Sequence, residues 1–274
     1  MNKFIIRSIT AIIFAAIMLT SIFVGKWLLL MVMGFFLSLT LIEQGNFVTF
    51  KKPGTILYVV SGLLFYILGV LGNTTLSYQQ WAAIIVTYCI SIFCLLLIQK
   101  NYLQKQFTYK LFSLFYITIP FILFTRLFGM SQDVGLKPYM LPICVICTTW
   151  IGDTFAYIVG SLIGKHKMSP KISPNKSWEG FFGGMTFVII AGAILANYAH
   201  IEININKYIF WILLCLTIYI FGTLGDLYES SIKRTANIKD SGKILPGHGG
   251  VYDRFDSFLM SVPFSIIYLL TLLF

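Results

Sequence analysis

Residues 225–256 read GDLYESSIKRTANIKDSGKILPGHGGVYDRFD and sit between two long apolar runs, 208–225 and 257–274. The stretch holds Asp226, Glu229, Asp240, Asp253 and Asp256, five of the ten acidic residues in the chain. Five cations accompany them: Lys233, Arg234, Lys239, Lys243 and Arg254. Its flanks are long enough to cross a hydrocarbon core as helices, which takes roughly 17 to 25 apolar residues. Charge of both signs is therefore gathered at the edge of a membrane. The whole composition agrees: 274 residues, 58% hydrophobic, 11% charged, mean hydropathy +0.85. A soluble domain would carry about a quarter charged residues. The chain reads as an all-α polytopic membrane protein.

Outward from that stretch, further apolar runs occupy 4–24, 27–42, 55–71, 81–98, 111–128, 138–163 and 180–197. The first, beside Lys3 and Arg7, resembles a signal peptide. The second run follows directly across Gly25-Lys26 with no A-x-A site between them, so two retained helices are expected. With the last two runs the count is nine spans. A cytoplasmic N-terminus puts 16 of the 20 basic residues in inside loops, leaving Lys26, Lys137, Lys207 and Arg126 outside. This positive-inside bias supports both count and orientation. It also puts 164–179 and 225–256 on one cytoplasmic face. The expected organisation is one integral membrane domain over 1–274, with N-terminal helices at about 4–128 and the chemistry at about 138–274.

The net charge of +10 is then a topology signal and calls for no nucleic-acid partner. Cys89, Cys94, Cys144, Cys147 and Cys215 all fall in apolar runs. Cys144-x-x-Cys147 has no second Cys/His pair to complete a zinc site and reads as packed thiol.

Four constellations are candidates for chemistry. Asp226 closes one apolar run and Asp253 and Asp256 open the next, with Glu229 nearby. Residues three apart share a helix face, so two neighbouring helices would converge four carboxylates on one pocket. Hard oxygen ligands suit Mg²⁺; ordinary ion pairing with Arg254, Lys233 and Arg234 is the plainer alternative. In Pro246-Gly-His-Gly-Gly250, glycines around His248 let the backbone approach a phosphate closely, or else form a simple turn. The basic loop GKHKMSPKISPNKSWEG, 164–180, offers Lys165, Lys171 and Lys176 to phosphates, with Ser177 as a helix N-cap; topology alone also accounts for its lysines. Asp153 lies inside an apolar run, where an ionisable residue is a functional candidate, with Lys165 as a possible partner and helix packing as the alternative. The middle of the opening stretch, TANIKDSGKIL, reads as either a flap over substrate or a connection.

Taken together these residues are more specific. The run Ser230-x-Ile-Lys233-Arg234-x4-Lys239-Asp240-x-Gly242-x2-Leu-Pro-x-His248-Gly249-Gly250-Val-x-Asp253-Arg254-Phe-Asp256 resembles the signature of the phosphatidate cytidylyltransferases, or CDP-diacylglycerol synthases. Gly225-Asp226-Leu-x-Glu229-Ser230, Ser173-Pro-x-Lys176-Ser177-x-Glu179-Gly180 and Gly152-Asp153-Thr154 extend the match. The N-terminal half resembles the family only in length and hydropathy. The resemblance implies transfer of CMP from CTP to phosphatidate with release of pyrophosphate. It implies Mg²⁺, with K⁺ as a second cation, and a homodimer in a bacterial inner membrane. Asp226 and Asp253 would bind metal with Asp256 in support, and Lys233 and Arg234 would neutralise phosphates. His248 would contact phosphate, act catalytically or hold the loop. Ser173, Ser177, Glu179, Ser230, Lys239, Gly249, Gly250 and Arg254 would line the substrates.

Other classes fit less well. A CTP-dependent lipid kinase shares substrate and membrane but moves the γ-phosphoryl group. A CDP-alcohol phosphotransferase needs a longer paired-Asp spacing than Asp253-x-x-Asp256. A transporter would place ionisable groups near the midplane of several helices, where only Asp153 qualifies. A passive binder of anionic lipid has no use for clustered carboxylates.

Overall fold

The computed structural model describes residues 3–47, 52–72, 77–98, 106–199, 201, 205–247 and 249–273. Lys51, Lys100, Lys105 and His248, used above for topology or site, lie outside them. The described residues hold nine helices long and apolar enough to cross a membrane. They are α1 (Lys3–Val24), α2 (Lys26–Phe47), α3 (Lys52–Leu71), α4 (Tyr78–Ile98), α5 (Gln106–Asp133), α6 (Met140–Ile163), α7 (Trp178–Tyr198), α8 (Lys207–Thr235) and α9 (Tyr252–Leu273). Between α6 and α7 lies a two-stranded antiparallel hairpin, β1 (Lys167–Ser169) and β2 (Ser173–Ser177).

The all-α expectation and the nine-span count hold. Three boundaries differ, each for a physical reason. The apolar run ending at 225 does not end its helix. α8 continues to Thr235 because Asp226–Ser230 and Glu229–Lys233 interact at helical i,i+4 spacing. Its 29 residues make a rod of roughly 44 Å, longer than a hydrocarbon core of about 30 Å. Asn237, with φ 56°, turns the chain just past its end. α9 likewise starts earlier than its apolar run, at Tyr252, which puts Asp253 in its first turn. α2 runs on to Phe47, so Glu43 is helical rather than part of a polar connection.

Lipid tails are as apolar as leucine, so van der Waals fit must hold the helices together. α7 answers with a buried face at four-residue spacing, Gly180, Gly184, Val188, Gly192 and Ala196, small at every position but Val188. At Gly192 the backbone of α8 comes so near that a Cβ would stand 3.0 Å from the Trp211 carbonyl. α9 packs on α8 and α5, and α5 is the most enclosed span, its Phe121, Leu123, Phe124 and Leu127 all fully buried. Phe255 and Phe258 of α9 pack edge-on or tilted against Phe121. Cys144 and Cys215 lie 3.9 Å apart beside Thr148 in the α6–α8 seam, packed as read.

The start of α1 meets the connection between α8 and α9. Arg7 Nε donates to the Gly247 carbonyl at 2.7 Å, and Thr10 Oγ1 to that of Pro246 at 3.1 Å. The ends of α1, α2, α6, α7, α8 and α9 thus gather on one side, where the polar residues collect.

Candidate active site

At Gly225, α8 and α9 approach so closely that a Cβ there would stand 2.6 Å from the Asp256 carbonyl oxygen. That contact brings Asp226 beside Asp256. One oxygen each of Asp226, Glu229 and Asp256 falls within 4.8 Å of the others. Asp226 Oδ2 is paired with Lys176 Nζ of β2 at 2.5 Å, and its Oδ1 accepts from Ser230 Oγ at 3.3 Å. Glu229 is fully buried, with Lys233 Nζ 2.7 Å from its Oε2. Its Oε1 has no hydrogen-bond partner.

Asp253, expected as a metal ligand, has both its oxygens met by protein donors. Lys233 Nζ donates to its Oδ1 at 2.8 Å and the Gly250 N–H to its Oδ2 at 2.8 Å. The Ser241 N–H is shared between the two oxygens at 3.1 and 3.0 Å. Glu229 takes its place beside Asp226 and Asp256. Lys233 is therefore a bridge between two carboxylates within the protein.

Of these groups, Asp226, Asp253 and Asp256 border a cavity of about 1100 Å³ walled by α6, the hairpin, the start of α7, α8, α9 and the second to fourth turns of α1. Asp153, Ser173, Lys176, Ser177, Asp226, Asp253, Arg254 and Asp256 all line it. Asp153 faces Asp226 across the space, with Lys176 and Arg254 as its cationic neighbours. Lys165, its expected partner, lies instead on the other side of the hairpin. Ser177 caps α7 as expected, its Oγ accepting from the Gly180 N–H at 3.2 Å.

Several other sequence candidates lie away from the cavity. Glu179 accepts from the N–H groups of Lys165 and His166 at 3.2 Å and pairs with His166 Nδ1 at 2.6 Å. Together with Lys165, Trp178 and Phe182 it borders a separate, shallow depression. Glu179 thus braces the hairpin. Lys171 is exposed at the hairpin turn and Lys239 on the α8–α9 connection. Arg234 donates to the carbonyls of Ile172 at 3.3 Å and Ile238 at 3.0 Å, tying the hairpin to the end of α8. Ser230 supports Asp226 from behind. Gly249, at φ 85°, turns the loop against Asp253, where a Cβ would stand 2.7 Å from Oδ2. The connection is hydrogen-bonded at Ile238 to the end of α8 and at Ser241 to Asp253 of α9, with Leu245 bonded to Gly249 within it.

Phosphates need cations or backbone N–H groups beside them, and divalent ions need carboxylates; this cavity supplies Lys176 and Arg254 next to Asp153, Asp226 and Asp256. A model of the Cytidylyltransferase family matches residues 5–272. The chain belongs to that family. Family membership makes it a nucleotidyltransferase whose reaction depends on a nucleotide, and the nine spans make it an integral membrane protein. Similar proteins include the phosphatidate cytidylyltransferase of Staphylococcus epidermidis, 35% identical over 273 residues, covering 97% of this chain and 98% of that one. That of Staphylococcus haemolyticus is 34% identical and that of Staphylococcus aureus strain COL 35%, each over 271 residues, with 97% and 98% of the two chains covered.

The carboxylate set fits a divalent cation. Three like charges within 4.8 Å repel one another, and a buried Glu229 oxygen without a donor is costly beside hydrocarbon. Hard oxygen donors suit Mg²⁺, which carboxylates hold together with waters and substrate phosphates. Glu229 is the ligand candidate that ranked only as a neighbour in the sequence; its i,i+3 relation to Asp226 was the available signal.

Proposed function

We propose that the chain is a phosphatidate cytidylyltransferase of a bacterial cytoplasmic membrane, with its site on the cytoplasmic face. It transfers CMP from CTP to phosphatidate, giving CDP-diacylglycerol and pyrophosphate. The observation that carries this is the mixed-charge cavity at the membrane edge, where Asp153, Asp226 and Asp256 face Lys176 and Arg254. A substrate held in the bilayer and a soluble polyanion can meet only at such a boundary.

In the reaction, a phosphate oxygen of phosphatidate attacks the α-phosphorus of CTP. The bond from that phosphorus to the bridging oxygen breaks, and its electron pair departs with pyrophosphate. Such transfer needs positioning and charge neutralisation more than covalent help. Lys176 and Arg254 neutralise phosphate charge from the hairpin and from α9. Asp226 pairs with Lys176, and Asp153 adds negative charge near both cations. Lys233 ties Glu229 and Asp253 to one shared ammonium and so orients both. Phosphatidate already carries an ionised oxygen near neutral pH, so no strong general base is required. Asp226, Glu229 and Asp256 would hold Mg²⁺, which when bound neutralises the charge developing on the phosphate oxygens. K⁺ as a second cation and a homodimeric assembly complete the proposal.

The test is transfer of label from CTP into lipid in purified, detergent-solubilised protein. Label on the α-phosphate should enter the lipid with Mg²⁺ present and should not enter with EDTA. Label entering only from the γ-phosphate would replace this proposal with a lipid kinase.

A further inference from the structure

Glu43, one turn before the end of α2, is 2% exposed although it carries a formal charge. It does not line the cavity. Its Oε2 accepts two hydrogen bonds at 2.9 Å, from Ser241 Oγ and from the Tyr252 N–H. The second donor belongs to the first turn of α9, where a negative side chain is favourably placed. The first belongs to the residue whose N–H clasps both oxygens of Asp253.

The fit around Glu43 is close. A Cβ on Gly242 would stand 2.7 Å from Glu43 Cδ, and one on Gly250 would stand 2.7 Å from the Gly242 nitrogen while overlapping Ser241 Oγ and Glu43 Oε2. Two glycines of the α8–α9 connection are thus pressed onto one carboxylate of α2. A continuous line of polar contacts results: Glu43, Ser241, Asp253, Lys233, Glu229. It runs from the N-terminal half of the chain to the carboxylate cluster.

We propose that Glu43 is a positioning residue for the transfer reaction. Through Ser241 and the Tyr252 N–H it holds Asp253, and so Lys233, in the orientation that leaves Glu229 beside Asp226 and Asp256. The requirement is for an acceptor: a carboxylate takes both bonds, whereas alanine removes this acceptor from a buried hydroxyl and a buried N–H. A glutamine oxygen can take both. The inference rests on the cytidylyl-transfer reading, and the two fail on different measurements.

The experiment compares wild type with Glu43→Ala, Glu43→Gln, Ser241→Ala and the Glu43→Ala/Ser241→Ala double variant. Each is scored for kcat, for KM of CTP and phosphatidate, and for thermal unfolding in detergent. Glu43→Ala should lower kcat by about 10- to 100-fold, the usual cost of losing a supporting partner behind a charged site. KM should stay within about 3-fold, because ground-state binding is not what Glu43 supplies. Glu43→Gln should restore most of kcat, Ser241→Ala should reproduce the loss, and the double variant should be no worse than Glu43→Ala. Wild-type kcat in Glu43→Ala overturns the proposal, as do losses that multiply in the double variant or that track the unfolded fraction. If Glu43→Ala fails to fold, Ser241→Ala decides alone, and wild-type kcat there also overturns it. A wild type that makes no CDP-lipid instead defeats the cytidylyltransferase reading.

Discussion

Asp253 and Asp256 are three residues apart on one helix, and their surroundings differ in kind. Asp253 is met by the Lys233 ammonium and by the N–H groups of Ser241 and Gly250. Asp256 accepts from the N–H of its own neighbour Ser257 at 2.6 Å and otherwise faces Asp226 and Glu229. A carboxylate whose lone pairs are taken up by protein donors has little capacity left for a ligand. One set among other carboxylates is incomplete until a cation arrives. Identity and spacing alone made the two aspartates equivalent; the donors around them divide the α8–α9 corner into a clasp and the carboxylate cluster proposed to hold a cation.

Substitution should separate the two. Asp256→Asn or Asp226→Asn should lower kcat on the order of 10²- to 10³-fold, as expected for lost electrostatic stabilisation of the reacting phosphates. For Asp256→Asn, thermal unfolding without metal should stay at the wild-type temperature or rise, because a like-charge contact is relieved; Asp226→Asn also loses its pair with Lys176. A parallel fall in stability would break the distinction. Asp253→Ala should behave oppositely and lose the fold along with the activity. Removing one partner of a buried pair costs about 3–5 kcal/mol, and Lys233 would be left facing Glu229 alone; denaturant unfolding measures this.

A smaller effect tests the cation site directly. Saturating Mg²⁺ should raise the unfolding temperature of wild type by a few degrees, about 2–4 °C per kcal/mol of binding linkage. Asp256→Asn should show little of that rise and Asp253→Asn should keep part of it. Smallest are the lysines of the hairpin. Lys176→Ala should cost about 10-fold in kcat/KM, about 1.4 kcal/mol. Lys165→Ala and Lys171→Ala, which point away from the cavity, should stay within about 2- to 3-fold of wild type, the range of neutral surface changes. A Lys165→Ala loss equal to that of Lys176→Ala would show that the wrong face of the hairpin has been assigned to phosphate.

The amino-acid sequence by itself determined the membrane class, the nine spans and their approximate limits, because crossing a lipid core demands long apolar runs and leaves a mark in composition. It also determined the family, through a motif dense enough to read without coordinates, and picked out several polar residues that line the cavity: Asp153, Ser173, Lys176, Ser177, Asp226, Arg254 and Asp256. Only the tertiary structure decided which way each polar group turned. The continuation of α8 through Glu229 and Lys233 was hidden because hydropathy ends at Gly225, while the helix is sustained by ion pairs. The hairpin at Lys167–Ser177 was hidden because polar two-strand ladders carry no alternating apolar signal. Glu43 was hidden most completely. It stands alone at the end of an apolar run, and its meaning comes from two donors that lie 198 and 209 residues further along the chain. Apolar length is a local property and can be read locally; the satisfaction of a buried charge is a property of whatever the fold brings beside it.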